Sequence, residues 1–229
     1  SVLTTVTSCG AVNAMHDSLS PLAGMVAMFD IMIGEVVFGG VGSGLYGMAA
    51  LVVVTVFVAG LMVGRSPEYL GKKIEAREVQ LAMVAIIVPN FLILGLSAAA
   101  SSMPAGLAGL ANRGPHGLSE ILYAYSSGAG NNGSAFGGLA ANTPFYNLTM
   151  AAAMLVGRFG VMVPMLAIGG GLAAKKTVAE GIGSLRTDTP VFAGLLFSVV
   201  LVVAGLTHFP ALTLGPILEH FLMIKGVSI

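Results

Sequence analysis

Long apolar segments, separated by short stretches rich in charge or glycine, constrain the fold of this chain more than any other feature. The segment from Leu81 to Ala100 contains no charged residue, and the segment from Phe145 to Ala174 contains only Arg158. A helix needs about 20 residues to cross the hydrocarbon core of a bilayer. Of the 229 residues, 56% are hydrophobic and 9% are charged, whereas a soluble domain has about 25% charged residues. We therefore predict an all-α integral membrane protein.

The basic residues are concentrated in two linkers. Seven of the ten Lys and Arg residues lie there: Arg65, Lys72, Lys73, Arg77, Lys175, Lys176 and Arg186. Because loops rich in Lys and Arg stay on the cytoplasmic side, both linkers are predicted to be cytoplasmic, and residues 1–20 and 101–144 to be on the outer side. The net charge of zero gives no indication of nucleic-acid binding, and the single cysteine, Cys9, excludes an internal disulfide.

The stretch from Ser126 to Gly138 is small, polar and rich in glycine, although apolar segments flank it. A polar, structureless backbone at membrane depth is tolerated only where it lines a cavity or is buried in protein. Backbone carbonyls held there can replace the water shell of a cation. We interpret this stretch as an ion-selectivity element, with an ordinary turn between membrane helices as the alternative.

An internal repeat relates the two halves of the chain at a spacing of 123 residues. Five pairs of residues are equivalent at this spacing: Gly10 and Gly133, Pro21 and Pro144, Gly34 and Gly157, Glu35 and Arg158, and Gly47 and Gly170. Each unit is predicted to contain a re-entrant pore helix, a polar turn and a long broken helix. The chain crosses the membrane twice between the units, so the repeats are parallel. Two parallel units enclose only half of a pore. We therefore favour the interpretation that this sequence is a fragment of a longer protein.

A second glycine-rich stretch interrupts the apolar run from Pro21 to Val63. It has five glycines in ten positions, from Phe38 to Gly47, and is interpreted as a break between two helical pieces. We take Gly39, Gly40 and Gly42 as candidates for an intramembrane gate; close packing against a neighbouring helix is the alternative.

Two intramembrane charges, Glu35 and Arg158, occupy equivalent places in the two units. A charge buried in a membrane is costly, so it is functional or paired by default. We expect the two residues to face each other below the filter and to control ion passage, with a structural ion pair as the alternative.

The sequence gives little support for a metal site or for ATP hydrolysis by this chain. His16, Asp17 and His116 lack a second cluster at ligand spacing, so hydrogen bonding in the outer loops is a better interpretation than a metal site. The sequence contains neither a glycine–lysine phosphate-binding loop nor the Asp-Lys-Thr-Gly phosphorylation motif. We expect no catalytic residues, so active transport would need another polypeptide.

Specific motifs run through nearly the whole chain. They are SCGAVNAMHDS at 8–18, GEVVFGGVGSGLYGM at 34–48, GRSPEYLGKKIEAREVQL at 64–81, GPHGLSEILYA at 114–124, NNGSAFGGL at 131–139 and GRFGV at 157–161. In these stretches the chain closely resembles the KdpA family, the potassium-binding subunits of a bacterial ATP-driven potassium transporter. The family is built from four membrane–pore–membrane units related to potassium channels, and the resemblance implies that this chain holds the third and fourth.

The resemblance also implies a set of ion-binding residues. The potassium filter would consist of Ser8, Cys9, Gly10 and Ala11 in one unit and of Asn131, Asn132, Gly133 and Ser134 in the other. Gly130 departs from the pattern, because some relatives are expected to have another Asn there. Potassium is expected as the only cofactor, with no organic one.

The resemblance implies partners as well: a P-type ATPase subunit (KdpB-like) that hydrolyses ATP, and small KdpC- and KdpF-like subunits, in the bacterial inner membrane. The predicted organisation is the third pore unit at 1–63, a cytoplasmic linker at 64–80, the fourth pore unit at 81–174, a cytoplasmic loop at 175–190, and a last span with an outer tail at 191–229. The alternatives are a channel or cation symporter subunit without ATP coupling, and a structural membrane anchor.

Overall fold

A computed structural model of the chain describes residues 1–36, 39–40, 43–177 and 185–226. Within these residues the fold is helical apart from one short hairpin, β1 (Glu68–Tyr69) and β2 (Lys72–Lys73), which pair antiparallel. The helices are α1 (Val2–Val6), α2 (Pro21–Met32), α3 (Ser43–Val63), α4 (Ala76–Ser102), α5 (Pro104–Leu107), α6 (Gly114–Gly130), α7 (Pro144–Ala174), α8 (Pro190–Leu212) and α9 (Leu218–Ile224). A 3₁₀ turn, His16–Ser18, precedes α2, and a π-helical segment, Thr213–Ile217, joins α8 to α9.

In the described part of the chain, four helical stretches are long and apolar enough to cross a membrane. They are Gly44–Val63, Ala76–Ser102, Pro144–Ala174 and Pro190–Ile224. Large apolar side chains such as Met62, Val191 and Leu206 are about 80% exposed on their outer faces, as expected where the surrounding solvent is lipid. The fold therefore agrees with a multi-pass membrane protein.

Local sequence explains where the long helices begin. The Thr143 side chain accepts a hydrogen bond from a backbone N–H in the first turn of α7, and Thr189 does the same for α8. Each threonine precedes a proline, which is favoured at the first helical position because its fixed φ suits a helix and no N–H is lost. At the start of α4, Glu75 and Glu78 form a capping box. This box starts α4 five residues before the apolar run at Leu81.

The described residues differ from the sequence-based expectation in three helices. The first five residues of the glycine-rich stretch, Ser126 to Gly130, are not structureless but form the last turn of α6. The prediction of a broken long helix in both units is wrong for the second, because α7 is continuous and passes through Pro164. In the region 191–229, predicted as a last span followed by an outer tail, the helical stretch continues to Ile224 with a kink at Gly215.

The two predicted units correspond in their landmarks. In the first, α1 leads to a turn and then to α2 at Pro21; in the second, α6 leads to a turn and then to α7 at Pro144. A buried cluster joins them, with Met28 and Ile31 from α2 and Leu122 and Tyr123 from α6 among its members. Helix α6 of the second unit thus packs directly against α2 of the first.

The two charged linkers meet at one end of the helices. The Lys175 ammonium lies 2.7 Å from a carboxylate oxygen of Glu78 and 3.1 Å from one of Glu75, and it donates to the backbone oxygen of Lys73. Lys72 donates in turn to the backbone oxygen of Lys175. The linkers therefore lie on the same side of the predicted membrane.

Candidate functional site: two filter-like turns above a cavity

The two turns predicted as a filter share one backbone pattern. Ser8 and Gly10 have positive φ angles of 56° and 72°, and Asn131 and Gly133, 123 positions later, have φ angles of 57° and 93°. Positive φ is uncommon for residues other than glycine, so its recurrence at two matched positions indicates two copies of the same turn. Residues in this conformation let successive carbonyls turn toward a common side.

The two turns lie against each other. A Cβ added to Gly10 would lie 3.0 Å from the backbone oxygen of Asn132, and a Cβ added to Gly133 would lie 3.4 Å from the Gly10 Cα. Helix α6 ends here, with Asn131 as its C-cap. The negative end of a helix dipole favours a nearby cation. Both units thus bring backbone carbonyls to one place, at an electrostatically suitable helix end.

The side chains of the two turns differ in their surroundings. In the first turn Cys9 and Ala11 are exposed. In the second, Asn132 and Ser134 are buried, and their side chains bond to protein atoms. Asn131 is half-buried and donates through Nδ2 to the Met154 backbone oxygen at 3.2 Å. The buried side chains of the second turn are therefore engaged by other protein atoms.

The break in the first unit begins earlier than the glycine pattern predicts. Gly34 and Glu35 have φ angles of 80° and 53°, and the helix resumes at Ser43, so Gly44 and Gly47 of the predicted break are helical. The backbone of Gly39 closely approaches that of Gly44, whereas a Cβ on Gly40 would meet no atom of the described residues within 4 Å. Among the described residues, close packing therefore accounts for Gly39 but not for Gly40; Gly42 lies outside them.

Glu35 connects this break to the filter turn of the other unit. Its side chain is 2% exposed, and Oε1 accepts a hydrogen bond of 2.5 Å from Asn132 Nδ2. The same amide nitrogen donates to the Thr5 backbone oxygen at 2.7 Å. One filter side chain thus holds both the end of α1 and the glutamate at the break.

A cavity of about 210 Å³ lies beside the break, and both Glu35 and Arg158 line it. Its wall also includes Asn90 of α4 and Asn131 at the filter, but most of it is apolar. Arg158 is exposed, and the ion pairs found among the described residues do not include one between it and Glu35. The structure therefore brings the two charges to one cavity without joining them directly.

A buried bond between Tyr123 and His16 lies next to the second turn; His16 was predicted to form hydrogen bonds, but sequence-based reasoning missed Tyr123 as its partner. Tyr123 of α6 is fully buried, and its hydroxyl lies 2.8 Å from Ser134 Oγ and 2.9 Å from His16 Nδ1. Both residues lie inside the motifs that carry the family resemblance, but nothing in their spacing relates them to the filter. The one signal is polarity: a buried Tyr or His in an apolar helix needs a hydrogen-bond partner.

A cluster of ionisable residues connects the predicted outer loops through hydrogen bonds. His116 lies 2.7 Å from Asp17 through Nε2 and 2.7 Å from Glu219 through Nδ1. Burial lowers the pKa of His116, but hydrogen bonds to Glu219 and Asp17 outweigh it and raise the pKa above its ordinary value. Both ring nitrogens donate in the protonated form, so these contacts agree with the predicted hydrogen bonding of Asp17 and His116.

Glu120 is the acidic residue of this region that sequence reasoning missed. Ligand atoms of Asp17, His116 and Glu120 lie within 4.8 Å of one another. Glu120 is fully buried and accepts hydrogen bonds from the backbone N–H groups of Ala111 and Asn112 and from the Asn112 side chain. Its role in the described structure is to hold the loop that precedes α6.

Comparison with known proteins identifies the family. Residues 1–221 match the family described as "KdpA: Potassium-transporting ATPase A subunit". The chain belongs to the KdpA family. Its motifs at the two filter turns, the break and the first charged linker all lie within the matched range, so the resemblance drawn from those motifs is confirmed.

Individual KdpA relatives cover nearly all of the chain. It is 61% identical over 226 residues to a protein of Paramagnetospirillum magneticum, a match that spans 99% of this chain and 41% of the relative. It is 62% identical over 225 residues to a protein of Methylorubrum extorquens, and 61% identical over 225 residues to one of Brucella anthropi. These matches cover 98% of this chain and 39% and 40% of the relatives. Each is named "Potassium-transporting ATPase potassium-binding subunit". The chain therefore spans about two fifths of the length of the curated relatives it matches.

Proposed function

We propose that this chain forms half of a potassium-selective pore in the potassium-binding subunit of an ATP-driven uptake complex. One observation carries the proposal: two turns, 123 positions apart, share the same left-handed backbone pattern and lie against each other above a cavity. Carbonyls in such turns take the place of the hydration shell of potassium. Potassium is then a transported substrate, not a cofactor.

The rest of the complex follows from the family and from the charge pattern. The relatives are named as subunits of an ATPase, and the sequence lacks the motifs for ATP hydrolysis, so a partner P-type ATPase subunit (KdpB-like) hydrolyses ATP, with KdpC- and KdpF-like accessory subunits. Two parallel units of this chain and two more from the rest of the protein complete the pore. The basic linkers face the cytoplasm of a bacterial cell with the chain in its inner membrane.

The ion path below the filter passes the break in the first unit. Glu35 and Arg158 line one cavity there, and Gly39, Gly40 and Gly42 mark the segment that opens or closes it. Gly40 distinguishes a gate from close packing, since a Cβ there would meet no atom of the described residues within 4 Å. Gly40→Val should slow potassium transport while the complex keeps its thermal stability; unchanged transport would argue against the gate.

Substitution of the filter glycines tests the proposed filter. Gly10→Ala and Gly133→Ala, made in the full-length subunit, place a Cβ at a positive φ, which costs about 1–2 kcal/mol for an L-residue. We expect a roughly tenfold rise in the apparent KM for potassium uptake and weaker discrimination between potassium and rubidium, measured in cells that lack other potassium uptake systems.

The matched control is Gly205→Ala in α8, where a Cβ meets no atom within 4 Å, so uptake should be unchanged. Normal affinity and selectivity in both filter variants would overturn the proposal. Co-purification of the full-length subunit with a P-type ATPase, whose activity rises with potassium, excludes both the uncoupled channel or symporter and the structural anchor.

A further inference from the structure

A continuous chain of buried hydrogen bonds leads from the second filter turn to the outer loop of the first unit. Ser134 Oγ donates to Asn132 Oδ1 at 2.5 Å, and the Tyr123 hydroxyl lies 2.8 Å from Ser134 Oγ. His16 Nδ1 lies 2.9 Å from the same hydroxyl. All four side chains are at most 4% exposed, so water does not compete for these bonds.

The chemistry of the four groups fixes the direction of the bonds among them, although the Tyr123 hydroxyl also interacts with the side chain of Thr5. The nitrogen of the Asn132 amide must face Glu35 and the Thr5 carbonyl, because a carbonyl only accepts. Its oxygen is thereby turned to Ser134, which donates its one hydrogen to it. A hydroxyl has a single hydrogen, so Tyr123 must donate to Ser134.

The role of His16, the last group in the series of hydrogen bonds, is then determined as well. With the Tyr123 hydrogen used, His16 must donate through Nδ1–H to the phenol oxygen. Its Nε2 has no hydrogen-bond partner among the described residues, and burial lowers the pKa of His16. The ring is therefore neutral, in one tautomer, and its polar contact is with Tyr123, against which it also packs edge-on with centroids 5.5 Å apart.

The first filter turn has no counterpart of this series of hydrogen bonds. The positions equivalent to Asn132 and Ser134 are Cys9 and Ala11, and both are exposed. Alanine has no hydrogen-bonding side chain, so the first turn cannot be held in this way. The two turns share a backbone pattern, but the second is anchored through its side chains.

We propose that Tyr123 and His16 are positioning residues that fix the filter turn Asn131–Ser134 and thereby set its ion selectivity. The inference rests on the proposed filter function. Discrimination between similar cations depends on the spacing and number of coordinating carbonyls. Because Ser134 and Asn132 belong to the turn itself, loss of the Tyr123 hydroxyl releases the side chains that hold its carbonyls in place.

Removal of the single hydroxyl tests the inference in the full-length subunit within its complex. Tyr123→Phe should raise the apparent KM for potassium roughly tenfold, which corresponds to about 1.4 kcal/mol, and should lower potassium/rubidium discrimination, while the maximal rate stays within about twofold. Tyr125→Phe is the control. Tyr125 is equally buried on the same helix, but its hydroxyl bonds to Thr149 of α7, at 2.8 Å, and not to the filter.

Two further variants address the other ends of the hydrogen-bond chain. His16→Asn retains an N–H donor near the place of Nδ1, and His16→Leu removes it, so selectivity should be closer to normal in the first. Ser134→Ala removes the bond to Tyr123 and also the bond to Asn132, so its effect should be at least as large as that of Tyr123→Phe, and the double variant should be no worse than Ser134→Ala alone. If Tyr123→Phe is poorly produced, Ser134→Ala and the two His16 variants still test the inference.

Each pattern of results has a defined meaning. Equal effects of Tyr123→Phe and Tyr125→Phe on KM and selectivity, or a loss of maximal rate alone in Tyr123→Phe, would overturn the inference in favour of a purely structural role. If Gly133→Ala alters selectivity and Tyr123→Phe does not, this inference fails and the filter stands. If neither variant alters selectivity, the proposed filter fails as well.

Discussion

The two units of the chain agree at the two filter-like turns and diverge in the segment that follows α2 in the first unit. In the first, α2 ends at Met32, and Gly34 and Glu35 take positive φ angles. In the second, the equivalent residues Gly157 and Arg158 lie inside the continuous helix α7. Both units therefore contain the turn that would bind the ion. The helix that follows is interrupted in the first unit and continuous in the second.

One pair of equivalent glycines shows why the same residue type serves two purposes. A Cβ on Gly34 would lie 3.7 Å from its nearest neighbour, a Val36 methyl group, so space is available and the positive φ explains the glycine. A Cβ on Gly157 would lie 2.1 Å from the backbone oxygen of Ala129. In the second unit glycine lets α7 pass against the end of α6, and in the first it lets the chain turn.

The largest expected effect comes from Gly157→Ala. The new methyl group would collide with a backbone oxygen of α6, which has no rotamer to change, so we expect a loss at or above the upper end of the range of about 1–3 kcal/mol for overpacking. Gly34→Ala should lose less, about 1–2 kcal/mol, from its positive φ alone. Thermal unfolding of the purified full-length subunit measures both.

Gly170→Ala is the matched control for the same helix. A Cβ there meets no atom within 4 Å, and alanine is favoured over glycine in a helix by about 1 kcal/mol, so its unfolding temperature should stay the same or rise. If Gly34→Ala proved more damaging than Gly157→Ala, the assignment of packing to one unit and turning to the other would be reversed.

This comparison also shows what the sequence could and could not predict. The 123-residue spacing placed Gly10 opposite Gly133 because a positive φ leaves glycine as a visible marker in the sequence. The continuity of α7 was not predictable in this way, since a glycine required by a neighbouring backbone looks the same as one required by a turn. That distinction depends on the tertiary contact between Gly157 and Ala129.

The site was predictable to a similar extent. Both filter turns and the approach of Glu35 and Arg158 to one region followed from the repeat, because equivalent residues in parallel units lie at similar depth. The bond between Glu35 and Asn132 crosses from one unit to the other over 97 positions, and no local pattern encodes it. His16 was expected to form hydrogen bonds, but its bond to Tyr123 was missed for the same reason, as it spans 107 positions.

A second prediction compares the two intramembrane charges. Glu35→Ala removes the acceptor for Asn132 Nδ2 in a buried site, and an unsatisfied buried donor costs about 1–3 kcal/mol. Arg158→Ala should change the unfolding free energy by no more than about 0.5 kcal/mol, as for most exposed positions. Both should alter transport, because both residues line the cavity; unfolding and potassium uptake are measured on the same variants.

The isosteric change Glu35→Gln separates the two roles of this glutamate. Its side-chain oxygen still accepts from Asn132, so stability should be largely restored, whereas the loss of charge should still alter uptake. If stability and potassium uptake were both normal in Glu35→Gln, the only role of Glu35 would be to stabilise the structure of the break. Equal destabilisation by Glu35→Ala and Arg158→Ala would contradict the difference in burial on which the comparison rests.

The smallest expected effect concerns the outer cluster, where Asp17 of the first unit meets His116 of the second. His116 has a pKa above its ordinary value of 6.5 in the folded protein, because its hydrogen bonds to Glu219 and Asp17 outweigh the opposing effect of burial. A raised pKa means that the folded state holds the proton more tightly. This contribution to stability is complete below pH 6.5 and is lost as the pH rises through the folded-state pKa.

His116→Gln should therefore lower the unfolding temperature most at acidic pH, and its difference from the natural protein should shrink in alkaline buffer. Asp17→Asn supplies the control: it removes one of the two carboxylates, so the same histidine substitution made in that background should cost less at about pH 6. A difference that grows with pH would mean that His116 is held as the neutral imidazole. The link between the two units would then be an ordinary hydrogen bond, and the charge on His116 would play no part in joining them.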